Sequence, residues 1–404
     1  MGKKQLGTTI ILATLLIIGL ALFIQADELF EVQDHSQRET KIEKIEPNQS
    51  EARFLGKSEY HFEYPDAVRG IYVTGNAAGT SKFDTLVDFV DSTALNAMVI
   101  DVKDDFGNLT FMPEQGSDFE EVGTNMIQDP DEMMKTLEEK QIYPIARVVV
   151  FKDSELAKRH PEYSFTEDGE VWVNNRGEAF VNPFVKEVWE YNVEIAKMAA
   201  EMGFQEIQFD YVRFPEGFET KDEIFEYTMG DYQDLEMNNV KKRVEAVSDF
   251  VAYAKEELKD YNVDVSVDIF GYAATIEETP GIGQNFSRIS ENVDIISSMV
   301  YPSHWSNGYF GIEMPDKEPY RLISEYAKVE NEVLGALESP PVSRPWLQDF
   351  EAPWIYDGPA TEYDKEEIEA QIKALYDNGI YEFLLWNAGS NYSKNVDYLF
   401  GLSK

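Results

Sequence analysis

Carboxylates gather where short apolar runs stop. The clearest cases are Asp101-Val102-Lys103-Asp104-Asp105, Gln208-Phe209-Asp210-Tyr211-Val212-Arg213 and the run from Val263 to Ile269. In the last of these Val263, Val265 and Val267 alternate with Asp264, Ser266 and Asp268, and a period of two puts the polar side chains on one face of a strand. Other runs close on aromatic and amide groups: Tyr301-Pro302-Ser303-His304-Trp305, Trp346-Leu347-Gln348-Asp349 and Trp386-Asn387, with Arg147 inside Tyr143 to Val149. Two neighbouring carboxyl groups can divide a reaction, one protonating a leaving oxygen while the other attacks or activates water. Tyr and Trp add flat apolar faces of the kind on which sugar rings sit. Asp210 and Asp268 are therefore the candidate catalytic carboxylates, with Asp349 able to replace either or to steady transition-state charge. Candidate substrate contacts are Asp101, Lys103, Arg147, Trp172, Tyr211, Arg213, Tyr301, His304, Trp305, Gln348, Trp386 and Asn387. A plainer reading makes Asp210 with Arg213, and Asp101 with Lys103, structural ion pairs, and makes Arg147 a carboxylate partner; the tryptophans are then packing.

Composition narrows the chemistry further. Among 404 residues there are 35 Lys plus Arg, 76 Asp plus Glu, four His and no Cys, giving a net charge of −41. A disulfide, a thiolate nucleophile and Cys-ligated zinc are excluded, and so few histidines leave little for a His-rich centre. Gly281-Ile282-Gly283 lacks the spacing of a dinucleotide fingerprint and reads as a turn before a helix. Neither a cofactor nor a metal is expected. So acidic a surface offers no basic stripe to a phosphate backbone, so nucleic acid is not an expected partner, and anionic polymers are disfavoured. With 43% apolar and 13% aromatic residues the chain can nevertheless bury a large core.

The elements that must position these groups alternate in a βα rhythm. Strands are expected at Val68 to Val73, Ala97 to Val102, Tyr143 to Val149, Ile207 to Tyr211, Val263 to Ile269, Ile295 to Tyr301, Arg344 to Asp349 and Phe383 to Trp386. Helical periods lie between them, as at Phe83, Leu86, Val87 and Val90; Asn182-Pro183 opens one helix and Asn378-Gly379 closes another. Eight such units predict an α/β (β/α)8 TIM barrel over residues 62–404, an open doubly wound sheet being the alternative. Polar groups at strand ends then share the face where barrel enzymes do chemistry, and Asp210 and Asp268 stand on adjacent strands about 4.8 Å apart, which suits a retaining mechanism. Turn signals at Glu167-Asp168-Gly169-Glu170 and Asn175-Arg176-Gly177 flank Val171-Trp172-Val173 and predict a β-ribbon inserted after strand three, on that same face.

Ahead of the barrel, Lys3 and Lys4 precede an uncharged run from Leu6 to Ile24. It reads as an export segment over residues 1–26, favoured as an uncleaved membrane anchor, with a cleaved signal ending near Ala26 as the alternative. Residues 27–61 are charged with little apolar periodicity and read as a tether.

At the same strand-end residues the chain resembles the "putative glycosyl hydrolase domain" family, predicted TIM barrels distantly similar to the alpha-amylase and alpha-galactosidase groups. The resemblance runs from about Arg69 to Tyr392. It is carried by Arg69-Gly70-Ile71-Tyr72-Val73, Val99-Ile100-Asp101-Val102-Lys103-Asp104, the long block Glu206-Ile207-Gln208-Phe209-Asp210-Tyr211-Val212-Arg213-Phe214-Pro215, Asp268-Ile269-Phe270-Gly271, Gly281-Ile282-Gly283-Gln284, Met299-Val300-Tyr301-Pro302-Ser303-His304 and Arg344-Pro345-Trp346-Leu347-Gln348-Asp349-Phe350. In alpha-amylase-like barrels the nucleophile is an Asp ending strand four and the acid a Glu ending strand five. Asp210 and Asp268 match those places, with the shorter Asp standing at the second. The resemblance thus implies a TIM-barrel glycoside hydrolase with Asp210 as nucleophile and Asp268 as general acid/base; joined to the export segment, the reading is an exported or anchored hydrolase of envelope or environmental polysaccharide. Two other readings stay open: a non-catalytic barrel that binds wall glycan, and a carboxylate-metal hydrolase built on Asp101, Asp104 and Asp105.

Overall fold

Alternation decides the architecture, because each strand has two faces that must be buried differently. The computed structural model describes residues 59–356 and 361–401. Its strands are β1 (Arg69–Val73), β2 (Ala97–Lys103), β3 (Tyr143–Val149), β4 (Glu206–Asp210), β5 (Asp264–Phe270), β6 (Ile295–Met299), β7 in two pieces (Val342–Ser343 and Trp346–Gln348) and β8 (Phe383–Trp386). They pair in parallel in that order, and β8 pairs with β1, so the sheet closes as a TIM barrel. The break in β7 falls at Arg344-Pro345, where proline has no N–H for the ladder. The expected anchor and nearly all of the expected tether lie outside the described residues. Tyr60 to Glu63 already bond to the wall: the Tyr60 hydroxyl donates to Asp131 O (3.1 Å) and the His61 N–H to Glu138 (2.6 Å).

The helices that return the chain between strands are α1 (Lys82–Asp91), α2 (Pro130–Lys140), α3 (Lys186–Met202), α4 (Asn239–Leu258), α5 (Phe286–Ser290), α6 (Pro319–Gly335) and α7 (Lys365–Asp377), one after each of β1 to β7, with short helical turns at Gly75–Ala78 and Ser154–Arg159 in the loops; among the described residues none follows β8. In α1 the buried set is Phe83, Leu86, Val87 and Val90, an i, i+3, i+4, i+7 stripe. Gly379, with φ +80°, lies just past the end of α7. By contrast α3 starts at Lys186 and not at Asn182-Pro183, because the Asn182 side chain accepts from the Phe184 N–H (3.0 Å) and holds a turn there. Among the described residues no helix is long and apolar enough to cross a membrane.

Two apolar layers follow from the period of two. Ile100, Ala146, Val148, Ile207, Phe209, Val265, Val267 and Ile269 face the helices. Val68, Tyr72, Ala97, Val99, Tyr143, Ile145, Tyr301, Trp346 and Leu384 pack inside the barrel. The remaining parity of β4 (Glu206, Gln208, Asp210) and of β5 (Asp264, Ser266, Asp268) therefore points at the axis, with Asp210 and Asp268 at the C-terminal ends. After β3 the inserted ribbon forms as expected: Thr166–Glu167 pairs antiparallel with Glu170–Val171 across Asp168-Gly169, both with positive φ (53° and 83°).

Candidate active site

The register of β4 and β5 puts the two aspartates side by side. Gln208 is opposite Ser266 and Phe209 opposite Val267, so Asp210 and Asp268 come next at the same level, on strands about 4.8 Å apart. What separates them chemically is the company each keeps.

Asp210 is held by Arg147, on β3. Arg147 Nε (2.9 Å) and Nη2 (2.6 Å) both donate to Asp210 Oδ2. The same guanidinium donates through Nη1 to Asp101 Oδ1 (2.8 Å) and through Nη2 to Asp105 Oδ1 (2.8 Å), so three carboxylates converge on one cation. Arg147 is 1% exposed and lies 5.5 Å from the ring centres of both Tyr72 and Trp386, which stack on each other at 4.0 Å. Asp210 Oδ1 accepts the backbone N–H of Tyr211 (2.6 Å). That bond needs Tyr211 in the left-handed region, φ +52°, a conformation that costs a bulky residue about 1–3 kcal/mol and that clusters at functional sites. Burial pushes Asp101 up to about 6 against the pull of Arg147 and of the Tyr72 hydroxyl, which donates to it at 2.6 Å. Burial would also raise Asp105, but Arg147 and Lys152 hold it down at about 2. Lys152 joins Asp105 (3.0 Å) to Glu178 in the inserted segment (2.8 Å), and it lies 4.6 Å from the Tyr211 ring.

Asp268 touches no cation. It is 2% exposed, and Oδ1 accepts the indole N–H of Trp346 at 2.7 Å. Among the described residues nothing donates to Oδ2. Burial, and then the negative charge of Asp210, hold its carboxyl well above the usual carboxylate range, with Trp346 and Arg147 only partly opposing them. Tyr301 closes the ring of aromatic groups, edge-on to His304 at 5.2 Å and to Phe350 at 5.7 Å. Burial, then Asp268 and Asp210, keep its phenol neutral. The arrangement offers a carboxyl paired with arginine, a second carboxyl that burial makes hold its proton more tightly than usual, and a phenol donor, against aromatic walls. A separate cavity of about 570 Å³, between the end of α1 and Lys394 to Leu399, touches none of these groups.

Of the expected site residues, the structure gathers Asp210, Asp268, Asp101, Arg147, Tyr211, Tyr301 and Trp386 in one cluster. His304 is exposed beside Tyr301. Several others go elsewhere. Lys103 has the parity to face the axis, but the β2–β3 register slips between Asp101 and Lys103; the bulge turns it into the helix layer, where it is fully buried against Asp153 (2.6 Å) and Asn192 (2.8 Å). Asp349 does not join the pair: its two oxygens accept from Ser393 Oγ (2.7 Å) and Ser393 N (3.0 Å), clamping the segment after β8. Trp305 is a core residue, 8% exposed among Tyr309, Phe310 and Tyr326. Gln348 is fully buried, accepting from Ser303 N (3.0 Å) and donating to Asp316 (3.1 Å), while Asn387 braces its own turn through Gly389 N (3.0 Å). Arg213 pairs with Glu216 (3.2 Å) between the Tyr211 and Phe270 rings, not with Asp210. Trp172 is half-buried against Phe225 at 5.0 Å.

The metal alternative loses its shared site, since Asp101 and Asp105 are spent on Arg147, Tyr72 and Lys152, and Asp104 caps its own loop through the N–H groups of Phe106 and Asn108. Sequence reasoning missed Tyr72, Lys152, Glu178 and the true partner of Asp268. For Tyr72 a signal existed, because β1 alternation puts it on the axis side. Lys152 and Glu178 sit in irregular chain, where no period predicts direction.

Residues 70–392 match the model of the family described as "Putative glycosyl hydrolase domain". The chain belongs to that family. Among solved structures, a hypothetical protein from Ruminiclostridium thermocellum ATCC 27405 is 32% identical over 49% of this chain and 96% of its own, with a TM-score of 0.42. The PgaB (BpsB) glycoside hydrolase domain from Bordetella bronchiseptica superimposes with a TM-score of 0.52 at 14% identity, covering 80% of this chain and 95% of that one. A beta-galactosidase from the psychrophilic Marinomonas ef1 also reaches 0.52, at 12% identity over 79% of this chain and 54% of that one. At 14% and 12% identity the last two likenesses concern the fold alone. No curated protein matches the chain. Membership of this family makes the carboxylate pair of β4 and β5 the place to look for glycosidase chemistry.

Proposed function

We propose that the protein is a retaining glycoside hydrolase in which Asp210 attacks the anomeric carbon and Asp268 is the general acid/base. The observation that carries this reading is the contrast between two adjacent carboxyl groups: one locked against an arginine, the other buried without a cation beside it. That contrast assigns nucleophile and acid. In the first step the Asp210 carboxylate forms the bond to carbon as the glycosidic C–O bond breaks, and the Asp268 proton passes to the leaving oxygen. In the second, Asp268 takes a proton from water, the hydroxide oxygen attacks the same carbon, and Asp210 is released. Trp386 and Tyr301 supply ring faces for the sugar, with Tyr72 stacked behind Trp386. A barrel that only bound glycan would need neither a buried protonated acid nor the strained backbone at Tyr211.

The substrate fits an oligosaccharide or polysaccharide of the cell envelope or surroundings, reached from outside the membrane. The support for that location is the uncharged run Leu6 to Ile24 behind Lys3 and Lys4. Screening the protein against glycans with a reducing-sugar readout tests the activity. A fluorinated glycoside that stalls the second step should leave a sugar on Asp210, located by mass spectrometry. A label elsewhere, or an inverted product, rejects the mechanism. Fractionation tests the placement, a full-length cytoplasmic form being the result that rejects export.

A further inference from the structure

An acid that must protonate a leaving oxygen needs its proton on the oxygen that faces the substrate. A carboxyl has two, and Asp268 is small enough to rotate between them. The only protein bond to this side chain among the described residues comes from Trp346, across the barrel interior. Trp346 is on β7 and Asp268 on β5, so the indole reaches past β6, whose Ser297 is the register partner of Asp268. The indole is 1% exposed and fixed edge-on against Trp386, ring centres 5.5 Å apart at 84°. An indole N–H can only donate, so the oxygen it meets at 2.7 Å must be an acceptor. In the neutral carboxyl that acceptor is the carbonyl oxygen, and the hydroxyl is the other one.

We propose that Trp346 is a positioning residue that assigns the acid proton of Asp268 to Oδ2, the oxygen with no protein partner, and keeps Oδ1 turned away from the substrate. The inference rests on the acid role given to Asp268. When the proton leaves for the glycosidic oxygen, the Trp346 N–H remains on Oδ1 and now meets a carboxylate, so the same bond strengthens as the reaction proceeds. The charged and titratable groups facing Asp268 are Asp210 and Glu206 on β4, Arg147 on β3, and Tyr301 just beyond β6. None of these donates a hydrogen bond to it, so none can choose between its oxygens.

Infrared difference spectroscopy of the full-length protein across a pH titration tests this without any substrate. The protonated carboxyl band of Asp268 is identified by its loss in Asp268→Asn. In Trp346→Phe that band should move to higher frequency, because its carbonyl has lost a donor, and its midpoint should move to higher pH, because the carboxylate has lost one too. Kinetics provide the second reading on aryl and alkyl glycosides of the sugar found by screening. Trp346→Phe should lose about 10- to 100-fold on alkyl leaving groups, which need the proton in place, and little on nitrophenyl ones. The change should vanish in an Asp268→Asn background, since a residue acting only through Asp268 has nothing left to act on. An unmoved band, or an equal loss on both substrates with and without Asp268, overturns the proposal. A shifted band in a protein that cleaves no glycoside retains the hydrogen-bond assignment and rejects the glycosidase reading instead.

Discussion

The two ends of β4 and β5 pose nearly the same chemistry. At the C-terminal end Asp210 pairs with Arg147 and Asp268 stands beside it; at the N-terminal end Glu206 pairs with Arg344 and Asp264 is its register partner. Arg344 is fully buried, donates to both Glu206 oxygens (2.8 and 2.7 Å), to Glu382 (2.8 Å) and to the Tyr64 hydroxyl (2.9 Å). Even the shift recurs, since burial and the charge of Glu206 push Asp264 up to about 6. An arginine, a charged carboxylate and a raised one are thus not in themselves a mark of catalysis. The lower cluster is plugged: Tyr64 lies over it, edge-on to Tyr143 at 5.3 Å, and short turns surround it. The upper one is framed by aromatic side chains and long βα loops and contains a strained backbone at Tyr211. Aromatic walls, long loops and a strained backbone, more than charge, distinguish the working end.

Three substitutions test that distinction, and the largest effect belongs to the nucleophile. Asp210→Asn should lower turnover on the order of 10⁴- to 10⁶-fold, since no other group can form the covalent bond. Its melting temperature should change modestly, Arg147 keeping Asp101 and Asp105. Asp268→Asn should cost about 10²- to 10⁴-fold on alkyl glycosides and far less on nitrophenyl ones. In the wild type the acid works only when protonated, so turnover should fall as pH rises through the raised Asp268 midpoint, and that limb should disappear in Asp268→Asn. Normal turnover by a folded Asp210→Asn protein would make the upper cluster as structural as the lower. Glu206→Gln is the mirror experiment. It should destabilise by about 1–3 kcal/mol, the usual cost of weakening a buried charged hydrogen bond, since Arg344 keeps Glu382 and Tyr64, while activity per folded molecule, measured below the new melting point, stays near normal.

The same comparison explains what could be read from the sequence. All eight strands and the axis-facing set Asp264, Ser266, Asp268 follow from a period of two, which the barrel merely obeys. So does Asp210, because the polar parity of β4 reaches the strand end. Lys103 was misleading because one bulged residue reverses parity, and a bulge has no sequence signature in a run as regular as Ala97 to Lys103. Gln348 and Trp305 are polar or aromatic groups near strand ends that the loops consume for their own packing. The plug was invisible for another reason: Tyr64 lies in the irregular chain between the expected tether, which ends at residue 61, and the first strand, where no period predicts which end of the barrel it would cover.

Asp349 gives the smallest effect and the cleanest test of a corrected role. Sequence position puts it at the mouth, but both oxygens are committed to Ser393 and it contacts neither Asp210 nor Asp268. Asp349→Asn should therefore leave turnover and its pH profile unchanged. Its influence lies in stability. Burial raises its carboxyl from 3.8 to about 6, with the Ser393 bonds opposing the rise. The folded state then holds a proton that the unfolded chain has released, so folding loses stability as pH rises between those values. That share is fully present below about pH 4 and gone above about pH 6. The asparagine has no proton to lose, so the stability difference between variant and wild type should shift in the variant's favour across that window and be flat on either side. Chemical denaturation at a series of pH values measures it. A flat difference throughout would mean that Asp349 titrates alike folded and unfolded, and a matching fall in turnover would return it to the catalytic set.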